Sequence, residues 1–229
     1  MKKLIPRNEE ILEILLRFEQ NEKVSIVPTK KVFEKLQNAH AGRGLKHTAL
    51  LNHINRNMGE WVTFQPYQGL QLTEKGREWA VQIIRTHRLT ERLLVDILKL
   101  DWATAHEEAC ILEHAVSPVI IAQIEKILGP KILTCPHGSP IPSTDGKIPS
   151  TSYKQLNELP SPCEVIIRQV YCGNLELLEK LGSYELYPRT KVKIKAIDPK
   201  SEKISIQLDD EILNISFSEA SDILVEILN

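Results

Sequence analysis

The sequence predicts a mainly α-helical protein that ends in a small β domain, and three observations support this fold class. Apolar residues recur at helical spacing through most of the first 128 residues. Residues 129–163 contain seven prolines among small and polar residues. Residues 164–229 hold short β-type runs separated by turn residues. We therefore predict domains over residues 1–74, 75–128 and 164–229, with a Pro-rich linker over residues 129–163.

The first domain has the element order of a winged helix-turn-helix. Helical spacing predicts helices over Glu9–Glu19, Lys30–Leu36 and Leu45–Asn57, and a polar, Gly-bearing turn precedes the last of them. After Gly59, alternating residues on either side of a Pro-Tyr-Gln-Gly turn predict a two-stranded hairpin. Three helices and a hairpin also occur in modules that do not bind DNA, so the pattern alone leaves both interpretations open.

Three further helices are predicted beyond the hairpin, over Glu74–Lys99, Thr104–Ser117 and Val119–Ile127. These helices carry more apolar surface than a helix needs to pack against the core of its own chain. An apolar stripe of that size is covered in solution, which predicts a two-fold homodimer joined by the first and third of these helices.

The last domain is predicted from four β-type runs and one helix. The runs are Glu164–Tyr171, Lys191–Ile197, Lys203–Leu208 and Glu211–Ile215. The helix, Asn174–Gly182, lies between the first two runs. Short strands separated by turns predict a small β-barrel-like domain.

Charge and cysteine usage limit the classes of function. The net charge is −1, but residues 1–74 hold 11 basic and 8 acidic residues while residues 164–229 hold 8 and 12. This distribution fits a protein with a local DNA contact rather than one that coats nucleic acid. No apolar run reaches the roughly 18 residues of a membrane helix, and the four cysteines lack a disulfide-framework spacing. We expect a cytoplasmic protein without a membrane partner.

Ligand-type side chains collect on one face of the helices between residues 86 and 118. His87 and Glu91 are four residues apart. The other four ligand-type residues fall within an arc of roughly 100° on one helix; they are His106, Cys110, Glu113 and His114. Imidazole, thiolate and carboxylate together suit a divalent transition metal, whereas magnesium or calcium takes oxygen alone. The alternative is an amphipathic helix with a solvated polar face.

Four segments resemble the diphtheria-toxin-repressor family of iron- and manganese-dependent bacterial transcription regulators. They are LTEKG at 72–76, HRLTERLL at 87–94, AHEEACILEHAVSP at 105–118 and CPHGSPIP at 135–142. Together they cover about residues 70–145. The resemblance implies a metal-dependent DNA-binding repressor that controls iron or manganese homeostasis genes, with a helical dimerisation domain and a C-terminal SH3-like β-barrel.

The resemblance implies two metal sites. One would use His87, Glu91 and His106; the other would use Cys110, Glu113 and His114, completed by a ligand from the first helix. Cys110 matches the iron-type members, and a thiolate favours Fe(II), with Mn(II) as the alternative and Zn(II), Co(II) or Ni(II) as substitutes in vitro.

The first helix departs from the family pattern. Glu10 stands at the expected ligand position, with Glu9 and Glu13 nearby. Further ligand positions in the last domain fall on Gln169 and Cys172, and neither is a carboxylate.

The resemblance also implies a palindromic double-stranded DNA operator as partner, and no small-molecule substrate. Four residues of the third helix have side chains that can reach base edges or phosphates; they are Lys46, His47, Thr48 and Asn52. Three others are candidate phosphate contacts; they are Lys30, Lys31 and Arg43. We interpret His40, His47 and His53 as surface residues. The sequence assigns no role to His137, which lies in the CPHG segment.

Two alternatives from other classes stay open. A metal-sensing adaptor module that has lost DNA binding would explain why the third helix departs from the family's Ser-, Thr- and Gln-rich recognition helix. A metal-dependent hydrolase would need an open coordination position and a nearby acid or base. The sequence offers no nucleophile or phosphate loop outside the ligand set, so we expect no catalytic residues and no enzymatic activity.

Overall fold

The computed structural model describes residues 5–21, 23–38, 46–160, 162–171, 173–198, 200–208 and 211–228. The chain forms two compact units. Unit 1 comprises Met1–His87, Cys110–Ala122 and Pro142–Lys147. Unit 2 comprises Arg88–Ala109, Gln123–Ile141 and Ile148–Asn229.

Three helices begin unit 1: α1 (Pro6–Asn21), α2 (Thr29–Asn38) and α3 (His47–Asn57). Proline suits the first position of α1, where the backbone N–H that proline lacks would have no partner within the helix. The buried side chains of these helices recur at helical spacing; they include Ile11, Leu12, Leu15, Val32, Leu36, Leu50 and Ile54. The periodicity thus predicts each helix within a few residues. Leu45 and most of the predicted turn before it lie outside the described residues, and the first two residues of that turn belong to α2.

An antiparallel hairpin follows, formed by β1 (Val62–Gln65) and β2 (Gly69–Leu72). Leu70 and Val27 exchange two backbone hydrogen bonds of 2.8 Å, which fix the start of β2, beside the hairpin turn, to the segment before α2. Gly69 has φ +143°, and a Cβ there would lie 2.1 Å from the Val27 carbonyl oxygen. Only glycine fits this approach, and the three helices with this hairpin form the winged helix-turn-helix predicted from the sequence.

The central helices are α4 (Glu74–Arg92), α5 (Trp102–Leu112) and α6 (Pro118–Leu128). A π-helical turn over Leu93–Ile97 extends α4, and the chain leaves it at Lys99, which has φ +61°. The predicted extension of the second helix to Ser117 is wrong, because α5 ends at Leu112. Pro118 disfavours helical backbone at Ser117, and the chain already turns after Leu112, where the N–H groups of Ala115 and Val116 both donate to the Leu112 carbonyl at 2.9 Å.

Unit 2 contains a six-stranded antiparallel sheet with the order β3-β8-β4-β5-β6-β7. The strands are β3 (Lys154–Gln155), β4 (Cys163–Val170), β5 (Lys191–Asp198), β6 (Lys203–Leu208), β7 (Glu211–Ser216) and β8 (Ile223–Ile227). Two helices accompany them, α7 (Leu175–Ser183) and α8 (Phe217–Ser221). Alternate residues of the strands pack on Leu177, Leu178 and Leu181 of α7 in one hydrophobic core.

Sequence reasoning missed β3 and β8. The run ILVEI of β8 is too short for periodicity to distinguish a strand from a helix, and its place beside β4 comes from a pairing distant in sequence. The mainly α fold with a terminal β domain is confirmed.

The predicted linker is partly built into unit 2. Within residues 129–163, Cys135, His137, Ser139 and Ile141 are buried. Cys135 N–H donates to the Ser139 carbonyl at 2.8 Å, and Ile141 N–H donates to the Leu133 carbonyl at 2.9 Å. The prolines stiffen this segment, and a tight turn satisfies the hydrogen bonds of its backbone. The segment is therefore packed within unit 2 instead of extending freely between domains. None of the described helices is both long and apolar enough to cross a membrane.

Candidate metal centres and nucleic-acid interface

Unit 1 contains a group of ligand-type side chains that we call the first cluster. Helix α1 supplies carboxylates, α4 and α5 supply an imidazole and a thiol, and the turn after α5 supplies two more ligands. The members are Glu9, Glu10, Glu13, His87, Cys110, Glu113 and His114.

His114 stands among three carboxylates. Its Nδ1 lies 2.7 Å from Glu9 Oε2, while its Nε2 lies 3.4 Å from Glu113 Oε1 and 3.8 Å from Glu10 Oε2. Burial opposes the charged imidazole, but hydrogen bonds to Glu10 and Glu9 and the charge of Glu113 raise the pKa of His114 to about 10. A protonated His114 offsets part of the surrounding negative charge.

Glu113 is the buried centre of the first cluster. Its Oε2 lies 2.6 Å from His87 Nδ1, and a carboxylate oxygen of Glu13 lies within 4.8 Å of both. Burial raises the pKa of Glu113 well above its usual range, and the nearby charges of Glu13 and Cys110 add to that effect. A ring nitrogen of His87 and the Cys110 sulfur also lie within 4.8 Å of each other. Such a group of buried acids is stabilised by a cation.

The first helix contributes Glu9 and Glu13 as well as Glu10, the residue that the resemblance places at the ligand position. Glu10 lies near His114, but Glu9 lies closer, and Glu9 also accepts a hydrogen bond of 3.3 Å from Trp79 Nε1. Glu13 is held by Arg17, whose Nε and Nη2 donate to its Oε1 at 3.0 and 2.6 Å. Residues 9, 10 and 13 lie within about one turn of a helix, so all three carboxylates face one side of α1.

Unit 2 contains a second group, the second cluster, formed by Glu91, His106, Cys135 and His137. Glu91 Oε1 lies 2.8 Å from His106 Nδ1 and 3.4 Å from His137 Nδ1. Ligand atoms of Glu91, Cys135 and His137 all lie within 4.8 Å of one another. All four side chains are buried. Carboxylate, thiol and imidazole converging at this distance are the donor set of a transition-metal site.

His137 gives the second cluster its clearest sign of a ligand. Its side chain is fully buried, and within the described residues neither ring nitrogen has a hydrogen-bond partner of good geometry. Burial opposes the charged ring, but the charge of Glu91 and contacts with Cys135 raise the pKa of His137 to about 10. The ring faces a carboxylate oxygen at 3.4 Å and a thiol without a well-formed hydrogen bond to either. Such a buried imidazole is stabilised when a cation binds it, so the residues present fit a metal.

The loop that carries Cys135 and His137 is held rigidly. The guanidinium of Arg88 donates to the Pro140 carbonyl, and Arg92 Nε donates to the Thr134 carbonyl at 2.7 Å. Gly138 has φ +86°, and a Cβ there would lie 2.0 Å from the Arg168 carbonyl oxygen. The His137 ring packs edge-on against Trp102, with 4.8 Å between ring centroids. These contacts preorganise the two ligands.

Sequence reasoning missed Cys135 as a ligand and left His137 without a role. The signal was present, since a Cys-Pro-His-Gly turn brings a thiol and an imidazole two residues apart. The surrounding prolines favour a linker, and periodicity does not show that the turn is buried. The predicted set of His87, Glu91 and His106 draws on both units and stays a prediction, and Cys172 lies outside the described residues.

Helix α3 exposes most of its candidate DNA contacts. Lys46, Thr48 and Asn52 are exposed, and His47 is half-buried against the edge of Phe33, with 5.2 Å between ring centroids. Lys30 and Lys31 are exposed on α2, and the Lys31 ammonium lies 5.5 Å from the centre of the Phe18 ring. Arg43 and His40 lie outside the described residues. These DNA contacts stay predictions.

His53 departs from its interpretation as a surface residue. It is half-buried on α3, and its Nε2 lies 2.6 Å from Oδ1 of Asn8 on α1. The two residues are 45 positions apart, so spacing along the sequence offered no sign of this pair.

Two family models match this chain. Residues 73–143 match the iron dependent repressor, metal binding and dimerisation domain, and residues 154–227 match the FeoA domain. The chain is 36% identical over 138 residues to the iron-dependent repressor IdeR of Mycobacterium bovis. That match covers 55% of this chain and 60% of the relative, so the chain spans about three fifths of the relative's length.

Solved structures agree in fold. A manganese-dependent transcriptional repressor in complex with manganese aligns with TM-score 0.81 and 24% identity, over 96% of this chain and 100% of that one. A second structure, a manganese-dependent transcriptional repressor, aligns with TM-score 0.62 and 30% identity, over 69% of this chain and 86% of that one. These relatives are named as repressors, which are regulators rather than enzymes.

A winged helix-turn-helix joined to a metal-binding helical domain and a small β domain defines a class of metal-dependent transcription regulators. This chain belongs to the diphtheria-toxin-repressor family.

Proposed function

We propose that this protein is a metal-dependent, DNA-binding transcriptional repressor that controls iron or manganese homeostasis genes. One observation carries the proposal: the first cluster joins carboxylates of α1, within the winged helix-turn-helix, to His87 and to the residues at the end of α5. The position of α1 thus depends on what neutralises these acids.

A bound divalent metal supplies the positive charge that the first cluster lacks. We propose Glu9, Glu10, Cys110, Glu113 and His114 as its ligands, with Glu13 and His87 adjoining. Without metal, carboxylates of α1 repel Glu113, whose charged form is already disfavoured by burial. With the charge neutralised, these side chains hold α1 beside the end of α5. Differential stabilisation of that arrangement shifts the population towards one geometry of the DNA-binding domain.

Fe(II) is the proposed metal, with Mn(II) as the alternative. The Cys110 thiolate favours softer ions, whereas three α1 carboxylates favour harder ones. A cluster with one sulfur and several oxygens therefore lies between the preferences of the two metals. The second cluster, with Glu91, His106, Cys135 and His137, is a proposed second site for the same ion.

The proposed repressor acts as a homodimer. Apolar side chains of α6 are exposed in the single chain: Val119 is 72%, Ile127 is 60% and Ile120 is 52% exposed. An apolar face of this kind is stabilised by burial, and a second copy presents the same face in a two-fold arrangement. The matched family model is described as a dimerisation domain over these residues. Two DNA-binding domains related by a two-fold axis would fit a palindromic operator.

The proposal is tested with the DNA upstream of the chain's own gene. Gel-shift titrations compare anaerobic Fe(II), Mn(II) and chelator, in the presence of random-sequence competitor DNA. We expect retardation of the specific fragment only with metal. The variant Lys31→Ala serves as control: it should weaken binding to all sequences and lower the salt slope by about one, while the metal isotherm is unchanged.

Each other outcome contradicts a defined part of the proposal. Metal binding by calorimetry without specific retardation would support the adaptor alternative. Equal retardation with metal and with chelator would contradict the proposed metal-sensing function. Light scattering at micromolar protein with metal should give the mass of a dimer, and a monomeric mass would contradict the proposed interface.

A further inference from the structure

A short hydrogen bond connects the first helix to the third. His53, in the middle of α3, donates from Nε2 to Oδ1 of Asn8, in the first turn of α1, at 2.6 Å. Asn8 is buried, and its backbone N–H donates to the Ile5 carbonyl at 2.9 Å. The acceptor is therefore fixed by the helix start and excluded from water, which strengthens a hydrogen bond.

The other side of the His53 ring is also engaged. Asn57 Nδ2 lies 3.3 Å from His53 Nδ1 and 3.2 Å from the His53 carbonyl oxygen. Burial lowers the pKa of His53, and the charge of Arg7 adds to this effect. A neutral ring with the proton on Nε2 satisfies both contacts at once, since Nδ1 then accepts from Asn57. The orientation of the ring is thus fixed by Asn8 of α1 on one side and by Asn57 of α3 on the other.

Asn8 directly precedes a member of the first cluster. The next residue, Glu9, places Oε2 2.7 Å from His114 Nδ1 and Oε1 3.3 Å from Trp79 Nε1. Two consecutive residues of α1 therefore face in different directions, one towards the metal ligands and one towards α3. A shift of the α1 start that changes the Glu9 contact must also change the Asn8 contact, because one helical turn carries both.

We propose that the His53–Asn8 hydrogen bond transmits the position of α1 to the DNA-binding helix α3, which makes His53 a positioning residue for metal-dependent DNA binding. The proposal rests on the proposed function and deepens it by naming the route of regulation. His53 neither binds the metal nor needs to touch DNA. Its effect is on the coupling between the two binding events.

The test measures coupling in both directions. Operator affinity is measured with saturating Mn(II) and with chelator, and Mn(II) affinity is measured with and without operator, for wild type, His53→Ala and Asn8→Ala. In wild type the two ratios must be equal, because binding coupling is reciprocal. We expect both ratios to fall by on the order of tenfold in each variant, which corresponds to about 1.4 kcal/mol. The Mn(II) affinity of the free variants should stay close to that of wild type.

Three further measurements separate this role from simple destabilisation. His53→Gln keeps a side-chain N–H donor and should restore most of the coupling. Asn55→Ala, an exposed change on the same helix, should leave both ratios unchanged even if it weakens DNA binding. The double variant His53→Ala/Asn8→Ala should lose no more coupling than either single variant.

The outcomes distinguish the two proposals. If the operator affinity of the wild type is the same with Mn(II) and with chelator, the proposed function fails, and this inference fails with it. If wild type is coupled and both His53→Ala and Asn8→Ala remain equally coupled, only the inference is overturned. If His53→Ala is too unstable to measure, Asn8→Ala and His53→Gln decide the question.

Discussion

The two clusters hold similar ligand types in very different settings. The first cluster takes three carboxylates from α1 and its other members from α4, α5 and the following turn. The second cluster takes two of its four members from a buried turn that two arginines and Gly138 hold in place. An excess of carboxylates on α1 favours a cluster whose geometry depends on its ion. A preorganised turn favours a cluster whose ion adds stability.

This difference indicates a division of roles. At a regulatory site, the metal must bind one folded arrangement of the chain more tightly than another. At a site that only stabilises, the metal needs only to bind the folded state more tightly than the unfolded state. The first cluster fits the former and the second fits the latter. Substitutions at each cluster should therefore change different measurements.

The largest expected effect is on the first cluster. Cys110→Ala should weaken metal binding there on the order of 100-fold, since loss of outer-shell partners alone costs about 10- to 100-fold. Metal-dependent operator binding should disappear while the dimer persists, because the thiol lies outside the exposed α6 face. Calorimetry, gel shift and light scattering check the three parts. Cys163→Ala, a half-buried thiol of β4, is the matched control and should behave as wild type.

The second cluster should respond in stability instead. His137→Leu fills the buried space with an apolar side chain and removes a ligand. At free metal near 100 times its dissociation constant, wild type should gain about 2.7 kcal/mol of unfolding free energy from each site, and the variant should lose the share from the second cluster. Denaturant unfolding with metal and with chelator measures the gain. If the variant instead loses operator binding at saturating metal, the division of roles is wrong.

A smaller effect separates the carboxylates of α1. Glu10→Ala should keep part of the metal affinity and lose most of the coupling to DNA, which typically amounts to about 1–3 kcal/mol. Glu9→Ala tests the closer contact in the same way. Equal operator affinity of Glu10→Ala and wild type at saturating metal would assign the α1 ligand to Glu9, which lies 2.7 Å from His114. Loss in both variants would mean that the two share the role.

The smallest expected change is in metal preference. Cys110→Glu replaces the only sulfur of the first cluster with a harder oxygen donor. The ratio of the Fe(II) and Mn(II) dissociation constants should move towards Mn(II) by on the order of tenfold, or about 1.4 kcal/mol. The same titration on His137→Leu should leave the preference of the first cluster unchanged. If Cys110→Glu has the wild-type ratio, the thiol is not a ligand.

Local patterns determined much of this protein. Helical spacing predicted α1 to α6 because apolar residues recur on one face of each, and alternation predicted the hairpin and four strands of the sheet. The phase of His106, Cys110, Glu113 and His114 predicted ligand-type side chains on one helical face, but Glu113 and His114 lie in the turn after α5, and His106 belongs to the second cluster.

Tertiary structure decided what depends on partners distant in sequence. Burial of the Cys135–Ile141 turn, its two ligands and the hydrogen bond from His53 to Asn8 all depend on contacts between remote segments. The prolines of that turn predict a stiff chain but not where it packs. The position of His53 in the sequence does not indicate a hydrogen-bond acceptor 45 residues away. Sequence patterns specify which face of an element is apolar or ligand-bearing; only the packed chain specifies which faces meet.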